Sequence, residues 1–116
     1  MANISNFDDL AHLLQTIGQP VRLEILFAIG EGEVCVCHLE AMLGRRQATL
    51  SQHLMALREA GLVSDRREGR YIFYRLRDRT LLALVAEAAR LQGKALPVLV
   101  PSPDCECPTC SIKRTV

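Results

Sequence analysis

The sequence has no tryptophan and only two tyrosines and three phenylalanines. A core must therefore come from aliphatic side chains, which an apolar fraction of 49% supplies. No apolar run approaches the roughly twenty residues needed to cross a bilayer. The opening MANISNFDDL lacks the basic-then-apolar order of a secretory signal. These absences predict a cytoplasmic chain with no membrane partner. No nucleophile stands beside a matching base and no glycine-rich phosphate loop occurs, so an enzyme is not expected. What the sequence does hold is five cysteines in 116 residues. In a reducing compartment they point to metal binding or thiol redox chemistry rather than a disulfide framework. The length allows one small domain, which would gain stability by sharing a core with a second copy.

The net charge of +1 conceals an uneven distribution. Residues 45–79 carry nine arginines against four acids (Glu59, Asp65, Glu68 and Asp78), whereas the rest of the chain has five basic and nine acidic residues. One basic segment on an otherwise acidic chain fits a polyanionic partner, although an arginine-rich solvated surface would give the same count.

Taken in order, residues 3–17 read as a helix, with Ser5 or Asn6 as cap and Phe7, Leu10, Leu14 and Ile17 on one face. Gly18 ends it. Pro20 opens a second helix that runs to Gly30 and is apolar enough to be central. Residues 31–34 read as a connection. A short third helix starts at Cys35 or Val36 and ends at Leu43, followed by Gly44 and a turn through Arg45 and Arg46. Residues 47–60 form a fourth helix with Leu50, Leu54 and Leu57 as its inner stripe. Helix, short glycine turn and helix make a helix-turn-helix, whose second helix enters the DNA major groove.

Residues 62–67 and 70–76 read as a hairpin with its tip at Glu68–Gly69. Its shoulders carry Arg66, Arg67 and Arg70, as expected of a phosphate-contacting wing. Tyr71, Phe73 and Tyr74 are expected to pack the hairpin rather than stack on bases. Asp78 can cap a last helix over residues 79–92, rich in Leu and Ala. The predicted fold is mainly α with a β-hairpin, a winged helix-turn-helix that dimerises through its first and last helices. Residues 1–93 form that domain, and residues 94–116, with four prolines and Cys105, Cys107 and Cys110, form a cysteine-rich tail.

The phrases QPVRLEIL, EVCVCHL, TLSQHLMALREAGLV and REGRYIFYRL, in this order over about residues 7–92, resemble the ArsR/SmtB family of metal-sensing repressors. The CVC phrase is similar to the arsenic-responsive branch. The resemblance implies a homodimer on double-stranded operator DNA that leaves when As(III) or Sb(III) binds cysteine thiolates. Groove contacts would fall to Arg46, Gln47, Thr49, Ser51, Gln52 and His53, and phosphate contacts to Arg66, Arg67 and Arg70. Two positions depart from the family pattern. Glu40 stands where the arsenic branch has a third cysteine, and Arg46-Gln47-Ala48 replaces a Ser-Gln-Pro start, which removes a side-chain cap. The family's other metal site uses acidic and histidine ligands on the last helix. Here that helix has Glu87 and no histidine, so that site is not expected.

The thiol chemistry has its own constraint. Positions two apart on a helix point to nearly opposite sides. Cys35 and Cys37 can share an ion only if Cys35 lies before the helix or the first turn unwinds. A third thiolate for arsenic or antimony, or further ones for Cd(II) or Pb(II), would come from Cys105, Cys107 or Cys110. Their segment, CECPTC, could instead bind a metal by itself or be incidental. A redox reading stays open too. A Cys35–Cys37 disulfide would close only a small, strained ring, so a disulfide to the tail is the more feasible pairing. The Cys-X-Cys spacing at 35–37 also differs from the Cys-X-X-Cys of thioredoxin-like proteins.

Overall fold

The Pro-led segment takes the central place its composition implies. In the computed structural model, which describes residues 7–96, Ile25 and Leu26 are wholly buried and Ile29 nearly so. They belong to α2 (Pro20–Ile29), which follows α1 (Phe7–Ile17) across the break at Gly18. Residues 3–6 of the expected first helix, with the Ser5 and Asn6 caps, lie outside the described residues.

Next comes a strand where the sequence pattern predicts only a connection. β1 (Glu33–Cys35) pairs antiparallel with β3 (Tyr71–Leu76), and β3 pairs with β2 (Val63–Glu68), so the sheet order is β1-β3-β2. Three residues are too few for a period-two pattern to show, and only the pairing with β3 makes them a strand. The hairpin tip also moves by one residue. Glu68 faces Tyr71, which leaves Gly69–Arg70 as a two-residue loop, and Gly69 has a positive φ of 61°. Glycine in that first loop position is what such a hairpin turn favours.

The helix-turn-helix consists of α3 (Val36–Leu43) and α4 (Gln47–Glu59). Gly44, with φ 64° and ψ 31°, closes α3 in the left-handed conformation, where a side chain would add strain. Leu50, Leu54 and Leu57 are fully buried, as their spacing predicts. They meet Ile25, Leu26, Val36 and Leu39 in the main core. α5 (Thr80–Leu91) adds Leu81 and Val85, and the Asp78 carboxylate accepts the Thr80 amide at 2.9 Å. Phe7, Leu10 and Leu14 on α1 and Leu84 and Leu91 on α5 remain exposed. No helix among the described residues is long and apolar enough to cross a membrane.

The two sheet faces differ. Val34, Val63, Tyr74 and Leu76 join the main core. Cys35 and Phe73, on the opposite face, form a separate buried cluster with Cys37 and Tyr71 packed against it. The hairpin aromatics thus pack within the protein, as expected.

Two adjacent residues of α4 should respond differently to truncation. Leu54→Ala removes a fully buried side chain and should cost about 3 kcal/mol in urea unfolding. Met55→Ala, at a position 53% exposed, should stay within about 0.5 kcal/mol of the parent. Equal losses would show that the inner stripe is misassigned.

Candidate nucleic-acid interface and thiol pair

Buried leucines set the inner side of α4, and charged contacts fix its two ends. The Arg45 guanidinium donates to both carboxylate oxygens of Glu24, at 2.8 and 3.1 Å, and ties the interhelical turn to α2. Arg58 bonds Asp65 at 2.9 Å and ties the far end of α4 to the first wing strand. Between them, Arg22 donates from Nε to His53 Nδ1 at 3.1 Å and from Nη1 to the Thr16 carbonyl at 2.9 Å. A helix held this way presents its start as a rigid edge.

Arg46, Gln47 and Gln52 are exposed on that edge, and Thr49 and Ser51 are half-buried beside them. Arg46 precedes the first turn with no side-chain cap, as its replacement of Ser predicts. His53 differs from the other groove candidates, because its Nδ1 is engaged by Arg22. Burial, and then the Arg22 and Arg45 charges, hold its pKa below the ordinary imidazole value.

The three wing arginines also differ among themselves. Arg67 is exposed and makes no ion pair among the described residues. Arg70 lies over the Tyr71 ring, 5.5 Å from its centre. Arg66 is held internally. Its guanidinium bonds both oxygens of Glu33, bonds Glu68 at 2.7 Å, and lies 4.6 Å above the Phe73 ring. The Glu33 and Glu68 hydrogen bonds raise its pKa above the usual arginine value. Of the nine arginines in residues 45–79, Arg45, Arg58, Arg66 and Arg79 are neutralised by acids. Glu24, Glu31 and Glu33, three of those acids, lie outside the segment, so the sequence count overstated its outward positive charge.

Cys35 is the last residue of β1 and the cap of α3, with φ −85° and ψ 162°. Its sulfur accepts the His38 amide at 3.2 Å. Cys37 sits one residue inside the helix. Because Cys35 has extended backbone, the opposed directions of a regular helix do not apply, and the two side chains converge. Their sulfurs are joined as a disulfide across a Cα separation of 5.3 Å. This closes the small ring that the thiol spacing makes less feasible than a disulfide to the tail. Cys35 lying before the helix is one of the two arrangements that spacing allows. Among the described residues no third histidine, cysteine or acid completes a metal-holding group around them. Cys105, Cys107 and Cys110 lie outside the described residues. Neither Glu33 nor Phe73 stands out in the sequence, since only the sheet sets Phe73 opposite Cys35 and brings Arg66 of β2 across to Glu33.

Residues 19–65 match the family model described as bacterial regulatory protein, arsR family. A biofilm growth-associated repressor of Agrobacterium fabrum is 52% identical over 68 residues, 59% of this chain and 58% of that protein. The arsenical resistance operon repressor of Escherichia coli is 42% identical over 65 residues, covering 55% and 56%. The chain thus spans less than two thirds of each of these two relatives. Among solved structures, the transcriptional repressor BigR from Xylella fastidiosa superposes with a TM-score of 0.68 at 40% identity, covering 75% of this chain and 89% of that one.

His53 gives the site a pH signature. Its pKa is depressed in the folded state, so as pH falls below about 6.5 the unfolded chain binds the proton first. The stability that neutral His53 contributes is complete above that value and is lost as pH falls toward the folded pKa. His53→Gln should flatten this part of the thermal midpoint between about pH 7.5 and 5.5. A variant with the parent's acid slope would assign the slope to other groups.

Proposed function

The chain belongs to the arsR family of bacterial regulatory proteins, and from that premise we propose that it is a repressor released from operator DNA when As(III) or Sb(III) binds its paired cysteines. The observation behind this reading is the meeting of two sulfurs at the first turn of α3, the helix that braces α4. Repression as such is the common property of the relatives. The E. coli relative's name supports the metalloid, whereas the Agrobacterium relative's name speaks only of biofilm growth.

The ion takes the reduced pair. The disulfide must therefore first accept two electrons and two protons from cellular thiols, which are themselves oxidised to a disulfide. Binding then changes no oxidation state. Arsenous acid exchanges two As–O bonds for two As–S bonds, and each thiol proton leaves with a hydroxide as water. A third exchange with Cys105, Cys107 or Cys110 would release a third water and complete a pyramidal three-sulfur site. Thiolates suit this soft centre, and Cd(II) and Pb(II) are the alternative ions. Binding two sulfurs to one centre alters the cap of α3, because Cys35 Sγ is the atom that accepts the His38 amide.

On the DNA side, a homodimer joined through α1 and α5 would set two copies of α4 about one DNA turn apart. The exposed Phe7, Leu10, Leu14, Leu84 and Leu91 are suited to that interface. Arg46, Gln47, Thr49, Ser51 and Gln52 would face the groove, with His53 turned toward α2. Arg67 and Arg70 would hold phosphates. The regulated genes would be those of metalloid resistance.

The disulfide favours one second reading, a thiol redox regulator. There, two thiols give two electrons and two protons to a peroxide, which becomes two waters.

A release titration separates these readings. Arsenite or antimonite should free the DNA at lower concentration than cadmium, lead or peroxide, and Cys35→Ser or Cys37→Ser should abolish the effect. Retention of DNA at saturating arsenite would overturn the metalloid reading, and release by peroxide alone would favour the redox one. Truncation before Cys105 should weaken arsenite release if a tail thiol completes the site. In the same assay, Arg67→Ala should reduce the slope of log affinity against log salt by about one.

A further inference from the structure

We propose that Phe73 and Arg66 are positioning residues that carry the state of the Cys35–Cys37 pair into the wing, so that Arg66 serves as a link to the thiols rather than as a phosphate contact. The proposal rests on the reading of that pair as the effector site.

Register provides the first support. Phe73 on the middle strand faces Cys35 on one side and Arg66 on the other. The three side chains therefore form one row across β1, β3 and β2, on the face turned from the main core. Burial provides the second. Cys35 is 1% exposed and Phe73 is fully buried, yet both belong to a small cluster apart from the main core. A ring enclosed this tightly cannot absorb a displacement of its sulfur neighbours without moving, since close-packed interiors have little slack. The neighbours packed on it include the thiols, Tyr71 and the guanidinium stacked on it.

The third support is where Arg66 leads. It reaches back across β3 to both oxygens of Glu33, two residues before Cys35, at 2.9 to 3.1 Å. It also holds Glu68, the residue that enters the Gly69–Arg70 loop, at 2.7 Å. The planar guanidinium thus stacks and bridges at once. Lysine would keep the charge and lose that geometry. A shift of the Phe73 ring changes the seat of Arg66, and with it the carboxylate nearest the wing loop.

The test uses the full chain with operator DNA, its Cys35–Cys37 pair first reduced with a phosphine that is then removed, with arsenite and peroxide as probes. Mass spectrometry of the peptide bearing Cys35 and Cys37 reports whether the pair has closed. Amide hydrogen exchange reports residues 66–71, and DNA affinity is measured in parallel. In the parent, closure should change exchange in the wing and weaken DNA binding about tenfold or more. In Phe73→Leu and Arg66→Lys the pair should close as before, with wing exchange unchanged and the loss of affinity below about threefold. Arg66→Lys alters a partly exposed side chain, so it guards against a folding defect in Phe73→Leu. Its salt slope before closure should match the parent's.

Variants that respond like the parent would overturn the proposal, as would a parent wing that stays unchanged while the pair closes. If the pair closes and the wing responds but DNA is retained, the operator-release reading fails and the link stands. If neither probe changes the pair, both fail.

Discussion

Cys35 does three things with one backbone conformation. It ends β1, caps α3 and supplies half of the sulfur pair. Each depends on the extended geometry at this position. In helical geometry Cys35 would lose its pairing with Phe73, its sulfur would leave the His38 amide, and the two side chains would diverge. The thiol pair is therefore inseparable from the junction between the wing sheet and the helix-turn-helix. Chemistry at those sulfurs would act on the joint between the wing sheet and the helix-turn-helix.

The arginines show how a charge count becomes a geometry. Nine of them in one segment resemble a surface made for a polyanion. In the fold several hold the scaffold together instead, with Arg45 and Arg58 anchoring the two ends of α4 and Arg66 crossing the sheet. Exposed ion pairs of this kind add little stability. Their value is directional, because each planar guanidinium fixes the orientation of one element against another. The outward cations that remain, such as Arg46 and Arg67, stand on a framework that the paired arginines keep in place.

Most helices were legible because their signals are local. The Pro20 start, the Gly44 stop and the leucine stripe of α4 each need only a few neighbouring residues to be recognised. β1 was not legible, since three residues carry no period and take their identity from a strand some forty positions away. The misplaced hairpin tip has a similar cause, as register rather than composition chose Gly69–Arg70 over Glu68–Gly69. In the candidate site, the thiols and the start of α4 stood out by residue type. Glu33 and Phe73 did not, because an acid in a connection and an aromatic in a strand are ordinary until the sheet sets Phe73 opposite Cys35 and Arg66 against Glu33. The same limit made Arg66 look equivalent to Arg67.

The positions of the two apolar clusters bear on how an effector could act. The main core joins α2, α3, α4, the inner sheet face and the inward sides of α1 and α5. The thiol cluster lies on the outer sheet face. A dimer built on the exposed residues of α1 and α5 would thus use a surface that shares no residue with the thiol cluster. An event at the sulfurs reaches the cap of α3 and the wing directly, whereas it reaches α5 only by way of the main core. If the chain represses as proposed, this arrangement would favour a switch in how the wing and α4 are presented over one that takes such a dimer apart.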